Sequence, residues 1–323
     1  MNRLPLIESE LQALPSIDSL SLDLKGDGSA FKLDCLRLDR VHPFASGNKW
    51  YKLHQHLLAA ERSGKSTLLS FGGAYSNHLH ALAYAGYRLK MPCIGLVRGE
   101  LTEELNPTLA DCKKWGMTLK ALPRDRYRHY SRACNRREVS EQYPDAWVIP
   151  EGGEGPEGVA GIESLFGRLF HESGVPYDVI VCPVGSGTTL AGIISAVSGR
   201  AHVVGFSALK GAFDLEGRVE SALAMGSAKV GSWEICHDYH FGGFSKQNER
   251  LTRFISSVHA TTDLLLDPVY TGKMLFGVCE WIRQNRLSSG SRVLVVHTGG
   301  LQGWRGMGGW PVVRHHKDLF SAF

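Results

Sequence analysis

Two lysines stand three residues apart in "SGNKWYKL" (46–53), directly after a Ser-Gly-Asn turn. Leu53, Leu57 and Leu58 follow at helical spacing, so a helix starts there with Ser46 to Asn48 as cap-type residues. A helix N-terminus carries partial positive charge, and each cation placed on it costs roughly 0.3–1 kcal/mol. Lys49 and Lys52 both sit in that unfavourable field. A second motif, "PVGSGTTLAG" (183–192), runs from an apolar strand through Gly185, Ser186, Gly187, Thr188 and Thr189 into a helix. Backbone N–H groups and hydroxyls at such a turn suit an anion. The spacing is neither G-x-G-x-x-G nor G-x-x-x-x-G-K-[ST], and an ordinary βα turn stays open as the plainer reading.

Three further stretches carry chemistry-bearing side chains. "SFGGAYSNHLHALA" (70–83) puts Ser76, Asn77 and His78 at a helix start, where capping competes with ligand binding. "LDPVYTGKM" (266–274) places Tyr270 and Thr271 in a turn before a helix, and "VVHTGG" (295–300) ends a strand on Thr298. Alone, these are a packing tyrosine and a strand end. His54/His56 and His78/His80 are i,i+2 pairs that do not share a helix face, so no catalytic metal is expected. Ser186 lies outside any G-x-S-x-G elbow, and a hydrolase triad has no support.

The elements that must position these residues alternate along the chain. "FKLDCLRLDRVHP" alternates apolar and polar like a strand or hairpin arm. "TLLSFGG", "PCIGLVRG", "MTLKAL", "AWVIPEGG", "DVIVCPVGSGTT", "AHVVGFSAL" and "RVLVVHTGG" are strand-like. Helices are expected over about 77–89, 109–115, 157–171 and up to about 198. Apolar strands alternating with helices predict an α/β fold with a doubly wound parallel sheet, or two facing sheets. Four strands end in glycine turns, at 72–73, 152–155, 185–187 and 299–300. Ligands in such sheets bind beyond the carboxyl ends of the strands. The segment 229–250 is less regular and is expected to connect domains.

At 323 residues the chain holds two domains or one large one. Glycine is abundant at 37 residues. A net charge of +4 is too mild to imply nucleic acid, although "RDRYRHYSRACNRRE" (124–138) has six arginines. There Tyr127 and Tyr130 could stack on bases, but a solvated helix face is favoured. Seven dispersed cysteines without a C-x-x-C pair suggest reduced thiols and a cytoplasmic protein. Charges interrupt the N-terminal apolar residues, and no run is long enough to span a membrane.

Taken in order, "SGNKWYKL", "GGAYSNH", "VGSGTTLAG" and "LDPVYTGK…VVHTGG" resemble the 1-aminocyclopropane-1-carboxylate deaminase / D-cysteine desulfhydrase family, from about residue 20 to about residue 305. The resemblance implies the tryptophan-synthase-β-like fold of type II pyridoxal-phosphate enzymes. Its large cofactor-binding domain would take 1–48 and 156–323, and its small domain 49–155. It implies pyridoxal 5'-phosphate as cofactor, a small amino acid as substrate and a homodimer. It does not imply a nucleic-acid or membrane partner.

By the same resemblance Lys49 forms the Schiff base with the cofactor, and Lys52 is directed at its phosphate. Residues three apart share a helix face, so both reach one ligand. Positive surroundings would favour the neutral, nucleophilic amine. Asn77 matches the residue bonded to the ring hydroxyl. Ser76 matches a substrate-carboxylate contact, and in some members a nucleophile or proton carrier, with His78 beside it. Ser186, Gly187, Thr188 and Thr189 would cradle the phosphate. Tyr270 would lie over the reacting carbons with Thr271 next to it, and Thr298 would face the pyridine nitrogen.

The cyclopropane-opening members resemble "DPVYEGK" and "HLGG". Thr271 and Thr298 follow the D-cysteine desulfhydrase pattern instead. The implied reaction is β-elimination to a 2-oxo acid and ammonia, with sulfide from D-cysteine. Cyclopropane ring opening, another amino-acid lyase or racemase, and an inactive binding protein on the same scaffold are the rivals. The chain departs from the family at "YHFGGFSKQNE" (239–249), where a second active-site tyrosine is usual and Phe244 lies close by. His80 and Ala81 replace a usual Arg-Gln pair, and Thr188 a frequent glycine.

Overall fold

The structure, a computed structural model, describes residues 3–9, 14–24, 30–131, 133–171, 174–226, 229–288 and 290–307. Ten strands are present among them: β1 (Ile17–Asp23), β2 (Ala30–Arg37), β3 (Thr67–Gly72), β4 (Cys93–Arg98), β5 (Thr118–Leu122), β6 (Ala146–Ile149), β7 (Val179–Val184), β8 (His202–Ser207), β9 (Trp233–Cys236) and β10 (Val293–His297). The chain forms two compact units. One holds the described residues of 1–13, 42–161 and 302–323, and the other those of 14–41 and 162–301.

The first unit is built on a four-stranded sheet, β5-β4-β3-β6, parallel throughout. Its central strand β3 is buried along Leu68–Gly72, as a strand covered on both faces must be. Its edge strand β5 is half exposed. The second unit is built on a six-stranded sheet, β1-β2-β10-β7-β8-β9. β1 and β2 form an antiparallel hairpin, and the remaining pairs are parallel. All five residues of β10 are buried, whereas the edge strand β1 alternates. The fold is thus α/β, with two mostly parallel sheets flanked by helices.

Several expectations need correction. The segment 229–250 is no connector, because the chain on both sides of it belongs to the second unit. It contributes β9, a four-residue strand at the sheet edge in which only Cys236 is buried, too short and too mixed to announce a strand. The Asn48–Arg62 helix starts as expected, but Gly47 occupies the cap position and no side chain caps it. In the 124–138 stretch Tyr127 is a core residue and Tyr130 packs against the same cluster, so neither is displayed for a base. Arg136 stacks on Trp147, 4.4 Å from the ring centroid.

Candidate active site

Within the first unit the lysine pair converges on one atom. Lys49 Nζ donates to the Gly152 carbonyl at 3.2 Å and Lys52 Nζ to the same oxygen at 3.4 Å. That oxygen belongs to the glycine turn after β6, where Gly152 and Gly153 both have positive φ (70° and 72°). A partly buried hydrogen bond braces the turn, from Tyr127 Oη to Glu151 Oε1 at 2.6 Å. Losing water around Lys49 pushes its amine down from 10.5 to about 8, against the opposing pull of Glu154 and Glu151. The expected cause, positive surroundings, is therefore replaced by burial.

His78 stands beside this pair, buried, with its ring edge against Gly153. Ser70 Oγ donates to the Ile149 carbonyl at 2.8 Å, so it accepts from His78 Nε2 at 2.8 Å. The imidazole is then neutral with Nδ1 as an acceptor, and Nδ1 is buried without a hydrogen-bond partner among the described residues. Burial, then Lys49, His56 and Lys52, hold its pKa well below 6.5. Ser76 caps the Asn77–Leu89 helix by accepting from Leu79 N at 3.2 Å. Capping of this kind leaves the hydroxyl hydrogen free to donate. Asn77 is the first residue of that helix, and its Oδ1 accepts from Gln302 Nε2 at 2.6 Å.

The second unit carries the Gly185–Thr189 turn. Gly187 precedes the Thr188–Val197 helix with φ 88°, a left-handed conformation that side chains disfavour. A Cβ there would come within 2.9 Å of Val219 Cγ2. Ser186 Oγ and Thr188 Oγ1 are hydrogen-bonded at 3.0 Å, and Thr188 and Thr189 are buried at the helix start. Tyr270 lies against this turn, since a Cβ on Gly185 would meet its Cε1 at 3.1 Å and Oη at 3.3 Å. Tyr270 is held by an Asp267 turn, in which Oδ1 accepts from Val269 N (2.9 Å) and Tyr270 N (2.8 Å).

Thr271 is fully buried, and its hydroxyl donates to Asp267 Oδ2 at 2.6 Å while accepting from Asp267 N at 2.9 Å. The substrate contact expected of it is therefore not available: the hydroxyl shapes the turn that presents Tyr270. Thr298 is buried at the end of β10. Next to it, His297 Nε2 donates to the Leu265 carbonyl at 2.8 Å. In place of a second tyrosine, Phe244 meets Tyr270 edge-on at 6.0 Å. The buried Lys273 secures that loop through the Gly243 carbonyl at 2.8 Å.

A family model described as "Pyridoxal-phosphate dependent enzyme" matches residues 23–299. The chain belongs to this family. A "Putative 1-aminocyclopropane-1-carboxylate deaminase" of Pyrococcus horikoshii is 30% identical over 270 residues, covering 80% of this chain and 81% of that protein. A "D-cysteine desulfhydrase" of Klebsiella pneumoniae is 27% identical over 286 residues, covering 82% and 86%. A crystal structure titled as an ACC deaminase homologue shares the fold at a TM-score of 0.76, with 24% identity and 99% of both chains covered.

Pyridoxal phosphate is thus the cofactor, and the residues present fit it. Lys49, whose amine burial pushes down to about 8, would suit its aldehyde. The Ser186–Thr189 turn, with its left-handed glycine and its hydroxyls at a helix start, would suit its phosphate. Sequence reasoning missed Gly152, Asp267 and Gln302. The first two sit in motifs already singled out, but Gln302 in "GGLQGW" carries no local signal.

Proposed function

We propose that this pyridoxal-phosphate enzyme removes a β-substituent and ammonia from a small amino acid, as a D-cysteine desulfhydrase does. One water hydrolyses the C=N bond left after elimination, and the products are a 2-oxo acid and ammonia, with sulfide when the substrate is D-cysteine. The observation that carries the reading is the meeting of Lys49 and Lys52 at Gly152 O, with the Lys49 amine brought to about 8. At pH 7.4 roughly a fifth of such an amine is neutral, against about a thousandth of an ordinary lysine's, and the neutral form can act as nucleophile and base.

When bound, the cofactor supplies an aldehyde for amines and a ring that takes up the electron pair left at the α-carbon. Lys49 Nζ would hold the cofactor covalently, then remove the α-proton of the substrate and return it to the leaving side. Lys52, Ser186, Gly187, Thr188 and Thr189 would hold the phosphate. Ser76 and the start of its helix would bind the substrate carboxylate, with His78 as a neutral neighbour. Asn77 would donate to the ring oxygen. Tyr270 would exchange a proton at the reacting carbons, while Asp267 and Thr271 keep it in place. Thr298 would meet the ring nitrogen with a neutral hydroxyl, which suits elimination of a good leaving group.

Ring opening of the cyclopropane amino acid is the second reading, favoured by the description of the 30% identical Pyrococcus relative. A panel of D- and L-cysteine, D- and L-serine, β-chloroalanine and the cyclopropane amino acid separates the two. D-cysteine is expected to give 2-oxo acid and sulfide fastest. Rapid 2-oxobutyrate from the cyclopropane substrate would reverse the assignment.

A further inference from the structure

Within the first unit, Gln302 sits in a chain of three hydrogen bonds that ends on Asn77. Its Oε1 accepts from the buried Thr108 hydroxyl at 2.6 Å. Its Nε2 donates to the Tyr75 carbonyl at 3.4 Å and to Asn77 Oδ1 at 2.6 Å. The polarity of this chain is forced. A backbone carbonyl only accepts, so the Gln302 atom facing Tyr75 O must be nitrogen. That same nitrogen faces Asn77, so the Asn77 atom meeting it must be oxygen. The Nδ2 hydrogens of Asn77 then point the other way, and among the described residues no hydrogen bond uses them.

We propose that Gln302 is a positioning residue that sets the polarity of the Asn77 amide, so that Asn77 presents a donor to the ring oxygen of the cofactor. The inference rests on the reading of Asn77 given above. The two ends of an amide have nearly the same shape, so packing cannot choose between them; a fixed partner can. Turned over, the amide would set its own oxygen against the cofactor oxygen and repel it. Gln302 is buried, as is Thr108 behind it, so water does not compete strongly for the choice. The arrangement joins residues 225 apart in sequence.

Four variants test it: Gln302→Glu, Gln302→Met, Asn77→Ala, and the double change Asn77→Ala with Gln302→Glu. The carboxylate of Gln302→Glu only accepts, so it draws the Asn77 Nδ2 inward and turns the amide over. Gln302→Met removes the partner without adding charge. Pyridoxal phosphate affinity is measured by equilibrium dialysis, and the absorption of the bound cofactor is followed across pH. Both are recorded well below the melting point of each apo protein, which is determined first.

Gln302→Glu is expected to weaken cofactor affinity about tenfold, the order of one charge-assisted hydrogen bond lost. It should also move the bound cofactor to shorter-wavelength absorption, as a ring oxygen that keeps its proton does. Gln302→Met should give a smaller change in the same direction. In the Asn77→Ala background, Gln302→Glu should change affinity less than about twofold, because its effect runs through Asn77. Equal losses with and without Asn77 would overturn the inference, since a merely structural residue behaves so. Wild-type affinity and spectrum in both Gln302 variants, with Asn77→Ala impaired, would overturn the inference alone. Wild-type behaviour of Asn77→Ala would overturn it together with the assignment of Asn77.

Discussion

Lys49 shows how a side chain's chemistry follows from where its atoms are placed. Water stabilises a cationic amine, and burial removes that stabilisation, so the proton leaves near pH 8 instead of 10.5. The consequence for stability has a definite sign. Between about pH 8 and 10.5 the unfolded chain holds more protons than the folded one, so apo stability rises with pH there. Below about pH 8 the full penalty applies. Replacing Lys49 by Met is therefore expected to stabilise the apo protein at pH 7 by of order 1–3 kcal/mol, and by much less at pH 10.5. Thermal melts of both proteins at the two pH values measure this; an equal difference at both would contradict the assignment. Lys49→Ala should abolish the borohydride-reducible adduct seen by mass spectrometry and lower turnover by about 10²–10⁴-fold.

Turns at the carboxyl ends of strands place the working residues. The glycine turns after β3 and β6 follow neighbouring strands of one sheet, and those after β7 and β10 follow neighbouring strands of the other. Each sheet thus brings two such turns to one rim. The Gly187 turn is the most constrained, with a left-handed backbone and Val219 against the missing side chain. Gly187→Ala should cost about 1–3 kcal/mol in denaturant unfolding and weaken cofactor binding measurably. The Asp267 turn is a second stiff element, its carboxylate accepting from three backbone N–H groups and the Thr271 hydroxyl. Asp267→Ala should cost roughly 2–4 kcal/mol and lower kcat, whereas an unchanged kcat would remove Tyr270 from the reaction. The arginine-rich 124–138 segment gains a role at this scale, since its Tyr127 braces the turn that receives both lysines.

For the molecule as a whole, charge gives little support to a nucleic-acid partner. The net charge is +4, and two residues of the basic segment are committed inward, Tyr127 to the core and Arg136 to Trp147 and Glu157. Gel retardation with duplex or single-stranded DNA should therefore show no complex at physiological salt; a salt-dependent shift would reopen that possibility. Among the described residues no helix is long and apolar enough to cross a membrane. The two sheets carry different parts of the proposed chemistry. Lys49, Lys52, Ser76, Asn77 and His78 belong to one unit, and Ser186 to Thr189, Tyr270 and Thr298 to the other.

Much of this was legible in the order of residues alone. Buried parallel strands must be apolar throughout, so β3, β7, β8 and β10 announced themselves, and glycines marked the turns after β3, β7 and β10. The lysine spacing already put two amines on one helix face. β9 escaped because a short, half-exposed edge strand needs no apolar run. Tertiary structure alone decided that both amines meet the carbonyl of Gly152, 103 and 100 residues away, and that Gln302 meets Asn77. It also decided that the Thr271 hydroxyl is spent on Asp267. Local patterns record what a residue and its near neighbours prefer. Loss of water, and the pairing of donors with distant acceptors, exist only once the chain has closed on itself.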